Sequence, residues 1–181
     1  MKARIKTALR NGYIVTLGVD PAMSTGCGIA VIKYFPATHK TEPIRTATFK
    51  PFKIYDVIDY LQGISHFLKI DGDVVHAIGT ESGYVGRYKS IPYAVGRCRG
   101  IVEGICGVLW PGIIFEGLKA RQWRMWAFGS GSITKGQALM TAQADFDNPL
   151  YPNAECVGEW TEDAAEAYQI ARATAHKITE E

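Results

Sequence analysis

The sequence predicts a mixed α/β fold: a five-stranded sheet covered by helices on both faces. Three observations carry that expectation. Two short apolar runs, 13–20 and 74–81, are rich in β-branched residues, and each ends on an acid, Asp20 and Glu81. Between and after them the apolar spacing changes to steps of three and four, the period of an amphipathic helix. Gly and Pro mark the joins, as they do where one element gives way to another.

The elements follow in order. Tyr13-Ile14-Val15-Thr16-Leu17-Gly18-Val19-Asp20 is a continuous apolar run, the pattern of a buried strand. Pro21 biases Asp20 toward extended backbone. Ser24-Thr25-Gly26 turns the chain into a second strand, Cys27 to Tyr34. Residues 36–43 read as a loop and 45–52 as a weaker third strand, completing an antiparallel meander. Ile54, Val57, Ile58, Leu61, Ile64, Phe67 and Leu68 define a helix that Asp71-Gly72-Asp73 ends. The fourth strand is 74–81. Ile91, Ala94, Val95, Cys98, Ile101, Val102 and Ile105 then mark a long helix, 91–108.

On that helix Gly96, Gly100 and Gly104 recur every fourth residue. A glycine inside a helix costs about 1 kcal/mol relative to alanine. Such a face implies close approach of another backbone, in the core or across a dimer. Pro111-Gly112 breaks the chain before a short fifth strand, 113–115, and 118–126 and 134–146 read as helices. Thr161 is a plausible N-cap, with Glu162 and Asp163 favourable in the first turn of a last helix reaching about Ile178. Helices between the later strands suit parallel crossovers.

At 181 residues the chain suits a single domain, 13–181, behind a short basic arm, 1–12, expected to be partly disordered. No apolar stretch reaches the roughly 18 residues of a membrane span. Met1 to Thr7 carries charge without a following apolar segment, so no signal peptide is expected. Cys27, Cys98, Cys106 and Cys156 form no Cys-x-x-Cys pair, and His39, His66, His76 and His176 are scattered, so no zinc spacing arises. The expectation is four reduced, mostly buried thiols in the cytoplasm.

Charge is uneven along the chain. Arg87, Lys89, Arg97, Arg99, Lys119, Arg121, Arg124 and Lys135 stand against only Glu103 and Glu116, whereas 136–181 holds nine acids against Arg172 and Lys177. A basic middle beside an acidic cluster suits a polyanion bound over a cation site. Trp110, Trp123, Trp126 and Trp160 read as core or interface residues, and Asp145 and Asp147 as loop acids.

Four acids stand out. Asp20 and Glu81 end buried strands, where a carboxylate is costly unless compensated. Asp163 and Glu166, three apart on a helix, share a face. Two strand-end acids plus such a pair are what a site for divalent cations with oxygen ligands would look like.

The order of elements resembles the ribonuclease H-like fold, and the residues resemble the RuvC family of Holliday-junction resolvases. Gly18-Val19-Asp20-Pro21 through Thr25-Gly26-Cys27-Gly28 is similar to the family's first motif, with Ala22 where glycine is usual. Glu81 stands where the family's strand-four glutamate does, and Tyr84 where it uses an aromatic, usually phenylalanine, at the junction centre. Val95-Gly96-Arg97-Cys98-Arg99-Gly100 resembles the next helix. Arg121-Gln122-Trp123-Arg124, Gly129-Ser130 and Lys135 resemble its basic segment. Asp163-Ala164-Ala165-Glu166-Ala167 is similar to its closing motif, with Glu166 in place of aspartate. The resemblance spans about 13–178, and the departures fit a phage or prophage variant.

The resemblance implies a Mg²⁺-dependent endonuclease that resolves four-way junctions by paired, symmetric cuts. Two Mg²⁺ ions, with Mn²⁺ as a substitute, would sit on Asp20, Glu81, Asp163 and Glu166, Asp20 bridging. Arg124 and Lys135 would lie near the scissile phosphate. Tyr84, Arg87, Lys89, Arg97, Arg99 and Arg121 would contact DNA. Symmetric cleavage needs two facing sites, hence a C2 homodimer through the glycine-bearing helix. The compartment would be the cytoplasm of a bacterium or an infected cell, with no membrane partner. Other readings stay open: a nuclease of branched DNA generally or of structured RNA, a junction-binding protein without catalysis, and an actin-like ATPase, which needs a second such domain.

Overall fold

The computed structural model describes the backbone of residues 2–21, 26–82 and 90–180, and side chains within 5–21, 26–82 and 95–180. In chain order the elements are α1 (Lys2–Arg10), β1 (Ile14–Asp20), β2 (Cys27–Phe35), β3 (Lys40–Phe49), α2 (Ile54–Ile70) and β4 (Ala77–Glu81). There follow α3 (Ser90–Leu109), β5 (Ile114–Leu118), α4 (Ala120–Phe128), α5 (Lys135–Phe146), β6 (Glu155–Val157) and α6 (Glu162–Glu180). One mixed sheet has the order β5-β4-β1-β2-β3-β6. The β1-β2-β3 meander is antiparallel, and β4, β5 and β6 each join by parallel pairing.

Strand alternation assigns the faces, because successive side chains point to opposite sides. Val15, Leu17 and Val19 pack with Val57, Leu61, Ile64 and Leu68 of α2 and with Cys98, Val102 and Cys106 of α3. The other face receives Ile14, Ala30, Ile32 and Tyr34, packed under Ala167, Tyr168, Ala171 and Ala175 of α6 and Ala142 and Phe146 of α5. Asp20 is in step with Ile14 on β1, and so belongs to the face that α6 covers.

Helix α6 lies unusually close to the sheet at three glycines. A methyl group on Gly18 would overlap the Ala167 carbonyl and the Ala171 amide, one on Gly28 the Asp163 carbonyl, and one on Gly79 the Thr174 hydroxyl. The approach lets sheet hydroxyls reach helix carbonyls: Thr16 donates to Ala171 at 2.9 Å and Thr46 to Ala164 at 3.2 Å. Thr161 accepts from the Ala164 amide at 3.1 Å, which makes it the expected N-cap. Near the other end Lys177 pairs with Glu116 of β5 at 2.6 Å.

Several expectations need correction. The sheet has six strands, not five, because Glu155–Val157 pairs alongside Arg45, Thr46 and Ala47 of β3. Glu155 and Val157 are exposed and no apolar pattern marks them; an Arg45–Glu155 ion pair helps seat the strand. The loop 36–43 shrinks to a tight turn, and β3 begins at Lys40. The basic arm expected to be partly disordered is a helix over residues 2–10, since Ile5 and Ala8, three apart, both find buried sites. Asp145 lies in α5, not in a loop, and accepts a hydrogen bond from the Tyr168 hydroxyl at 2.8 Å. Gly96, Gly100 and Gly104 are exposed, and nothing described lies within 4 Å of a methyl group placed on any of them, so of the two expectations, core or dimer, they make no close approach to any described residue of this chain.

The seating of α6 is directly testable. Overpacking a tight contact costs about 1–3 kcal/mol and sometimes more. Gly18→Ala should sit at the upper end of that range, because the overlap is with helix backbone and not a mobile side chain. Gly63→Ala, at an open position on the exposed face of α2, should instead add about 0.5–1 kcal/mol. Chemical denaturation followed by circular dichroism reads both; equal stability of Gly18→Ala and the parent would refute the direct seating of α6.

Candidate active site

The acids converge because of register and alternation. Val19 pairs with Thr80 across parallel β1 and β4, so Asp20 and Glu81 leave the sheet side by side. Gly79 lies under Thr174 of α6, and Glu81, two residues on, faces the same way. Across the other flank Asp20 pairs with Gly28, the residue under Asp163. The first turn of α6 therefore comes down beside the strand-end acids, and Glu166, one turn on, shares its face.

All four groups are largely shielded from water. Asp163, Glu166 and Asp20 are only 2%, 5% and 7% exposed, and Glu81 is half-buried. Burial holds the Asp20 carboxyl well above the usual carboxylate range, and the negative charges of Glu166, Glu81 and Asp163 add to that; Lys135 opposes them. For Lys135 burial works downward, but Glu166, Glu162 and Asp20 outweigh it and raise the ammonium.

Cationic and neutral donors surround the cluster. Arg124 Nη2 approaches Glu166 Oε1 at 3.4 Å. Lys135 Nζ lies 3.4 Å from Glu162 Oε2 and 3.5 Å from Glu166 Oε2. The indole N–H of Trp123 donates to Glu81 Oε2 at 2.9 Å. Below the site, burial and a hydrogen bond with Cys98 push the Cys27 thiol up, the hydrogen bond being the larger effect. No disulfide links the four cysteines.

The residues suit divalent cations by donor chemistry and by one orphaned atom. All four are oxygen donors, the preference of Mg²⁺ and Mn²⁺. Asp163 Oδ2 is buried without a hydrogen-bond partner among the described residues, a condition a cation would relieve. Among the described residues no three His, Cys, Asp or Glu side chains form a ready-made cage. Two of the carboxylates are engaged elsewhere, Glu166 with Arg124 and Lys135 and Glu81 with Trp123, and like charges resist closer approach.

Of the residues singled out from sequence, Asp20, Glu81, Asp163, Glu166, Arg124 and Lys135 come together. Arg99 instead pairs with Glu103 at 2.6 Å, beside the buried Thr80. Arg97 and Arg121 are exposed on α3 and α4. Tyr84, Arg87 and Lys89 lie outside the described residues. Trp123, read from sequence as core or interface, is indeed fully buried, yet its polar edge meets an acid of the site. Its place between Arg121 and Arg124 was a signal of position; nothing in the spacing shows where an indole N–H points.

The Asp20 shift fixes a sign for stability. A carboxyl whose folded-state pKa is raised binds its proton more tightly when folded, so stability falls as pH rises from the ordinary value, 3.8, through the raised one. Without divalent cations, Asp20→Asn should therefore melt higher than the parent at pH 7, and the gap should close on acidification. A difference of 1 kcal/mol moves the midpoint by about 2–4 °C at this chain length. Scanning calorimetry in EDTA from pH 4 to 8 checks it, and a gap independent of pH would contradict the cluster.

No protein-family model matches the sequence, and no curated protein matches it. Among solved structures the chain is similar to RuvC of Thermus thermophilus, with 15% identity, a TM-score of 0.63, and coverage of 92% of this chain and 96% of that one. It is likewise similar to T. thermophilus RuvC in complex with a Holliday junction substrate, at 17% identity and a TM-score of 0.66, with the same coverage. The chain has the ribonuclease H-like fold seen in RuvC.

Proposed function

We propose that this chain, as a single nuclease domain over 13–181, is a structure-specific DNA endonuclease that resolves four-way junctions by metal-dependent phosphodiester hydrolysis. The observation that carries the reading is the buried Asp20 carboxyl at a strand end, with Glu81, Asp163 and Glu166 around it and Lys135 opposing them. The likeness in fold to a RuvC bound to a Holliday junction is what favours a junction over other substrates.

Asp20, Glu81, Asp163 and Glu166 would hold two Mg²⁺ ions, with Mn²⁺ able to substitute. When bound, such ions polarise a phosphoryl oxygen and lower the pKa of a water nucleophile. The rest is done by the chain's own cations. Arg124 and Lys135, both within 3.5 Å of Glu166, can turn toward a phosphate and stabilise charge developing on it. Arg97 and Arg121, exposed, are free to hold the backbone of branched DNA in register.

A homodimer belongs to the same reading, because paired cuts need two facing sites. The open face of α3 supports it: Gly96, Gly100 and Gly104 are uncovered and Val108 is 79% exposed. The reduced thiols fit the cytoplasm of a bacterium or an infected host cell.

Incubation with a labelled four-way junction, against a linear duplex of the same sequence, should give paired symmetric nicks on the junction alone and only with Mg²⁺ or Mn²⁺. Equal cutting of flaps, forks and junctions would replace the reading with a general branched-DNA nuclease. Binding without cutting would overturn catalysis. Asp20→Asn should keep junction affinity and lose at least ~10²-fold in cleavage rate, the scale of removing one electrostatic partner of a transition state. Light scattering at micromolar concentration should return twice the 19.9 kDa chain mass; a monomer would refute the dimer.

A further inference from the structure

The two outer acids of the site are gripped by one helix. Trp123 and Arg124 are consecutive on α4 and reach apart: Trp123 to Glu81 at the end of β4, Arg124 to Glu166 on α6. The Arg124 guanidinium lies 5.0 Å from the Trp123 ring centroid, so the two side chains brace each other. Trp123 is itself immobilised, fully buried with Leu118, Ile170 and Ala173. Gly129, at φ +69°, ends the helix just beyond.

An indole N–H is a donor only, and when buried it needs an acceptor. Core tryptophans commonly use a backbone carbonyl. Here the acceptor is a carboxylate, which makes the bond charge-assisted and directional. It occupies Glu81 Oε2, whereas Oε1 takes no hydrogen bond from any described residue. A glutamate at a strand end has three rotatable bonds; a rigid donor on one oxygen selects one orientation of the group and leaves the other oxygen for a ligand.

We infer that Trp123 is a positioning residue: its indole N–H sets the orientation of Glu81 for the divalent cation, with Arg124 bracing the opposite wall from the same helix. This rests on the reading above, in which the four acids hold Mg²⁺. Partners that orient metal ligands typically matter by about 10–100-fold in affinity or activity.

The test uses Trp123→Phe, which keeps an aromatic ring and deletes the donor. Mn²⁺ binding is followed by electron paramagnetic resonance. In parallel, Mg²⁺ is titrated into ¹⁵N-labelled parent protein while the Trp123 indole N–H resonance is observed. The expected results are a shift of that resonance on metal binding, Mn²⁺ affinity about 10–100-fold weaker in the variant, and junction cleavage restored at high Mn²⁺. A packing defect alone would not be rescued by metal. Parental Mn²⁺ affinity in the variant, with cleavage unchanged at every metal concentration, would overturn the inference. If the variant fails to fold, the parent spectrum decides: an indole signal that stays still while amides near Asp20 and Asp163 move would overturn it equally. A parent that binds no Mn²⁺ and moves no amide would instead overturn the metal-site reading itself.

Discussion

Helix α6 can carry two acids into this site only because it lies almost on the sheet backbone. Ordinary helix-on-sheet packing keeps side chains between the layers. Here the middle of β1, the start of β2 and the middle of β4 each present a glycine, and the helix meets them with the backbone of Asp163, Ala164, Ala167 and Ala171 and with the Thr174 side chain. Gly28, across from Asp20, lies directly under Asp163, so the contact that seats the helix also sets the distance between strand-end acid and helix acid. Without that seating, Asp20 and Glu81 would still stand side by side, but the pair on α6 would be lifted away. The remaining contacts of the helix, its Thr161 cap and the Lys177–Glu116 pair, fix where it begins and ends along the sheet.

The same seating has an electrostatic cost. Three carboxylates are nearly shielded from water and a fourth is half-shielded, and Asp20 is correspondingly reluctant to ionise. Such a cluster is unfavourable in isolation. The structure offsets part of it with Lys135 and Arg124 on Glu166, and with a neutral donor, Trp123, on Glu81. The compensation is asymmetric. The outer acids have partners, whereas Asp163 Oδ2 has none among the described residues, and burial holds the Asp20 carboxyl well above the usual carboxylate range. An uncompensated centre between braced walls is the arrangement expected of a site completed by a cation from outside, and it ties the stability of the apoprotein to the chemistry proposed for it.

Much of this was legible in the residues. Strand and helix periods marked the elements from β1 to α6 apart from β6, and the two acids ending apolar runs and the i,i+3 pair are the carboxylates that the fold gathers. What stayed hidden had specific physical reasons. Three-residue β6 has exposed ends and is stabilised by pairing with β3, not by its own pattern. The helix at the N-terminus owes its order to two buried side chains, Ile5 and Ala8, whose partners are distant in sequence. Arg99, basic and near the motif, is committed to Glu103 one turn away. The glycines that matter most for packing, Gly18, Gly28 and Gly79, sit inside strands, whereas the conspicuous every-fourth set on α3 is open.

The sequence by itself determined which residue types end the strands, which face of the last helix carries acids, and that a ribonuclease H-like order of elements follows. These are local matters of period, capping and side-chain chemistry. Only the tertiary structure decided that Asp20, Glu81, Asp163 and Glu166 share one shielded space, that Trp123 spends its indole N–H on Glu81, and that Arg124 and Lys135 meet at Glu166. Each of those depends on strand register and on how closely one helix can approach a sheet, quantities set by packing between residues far apart in the chain.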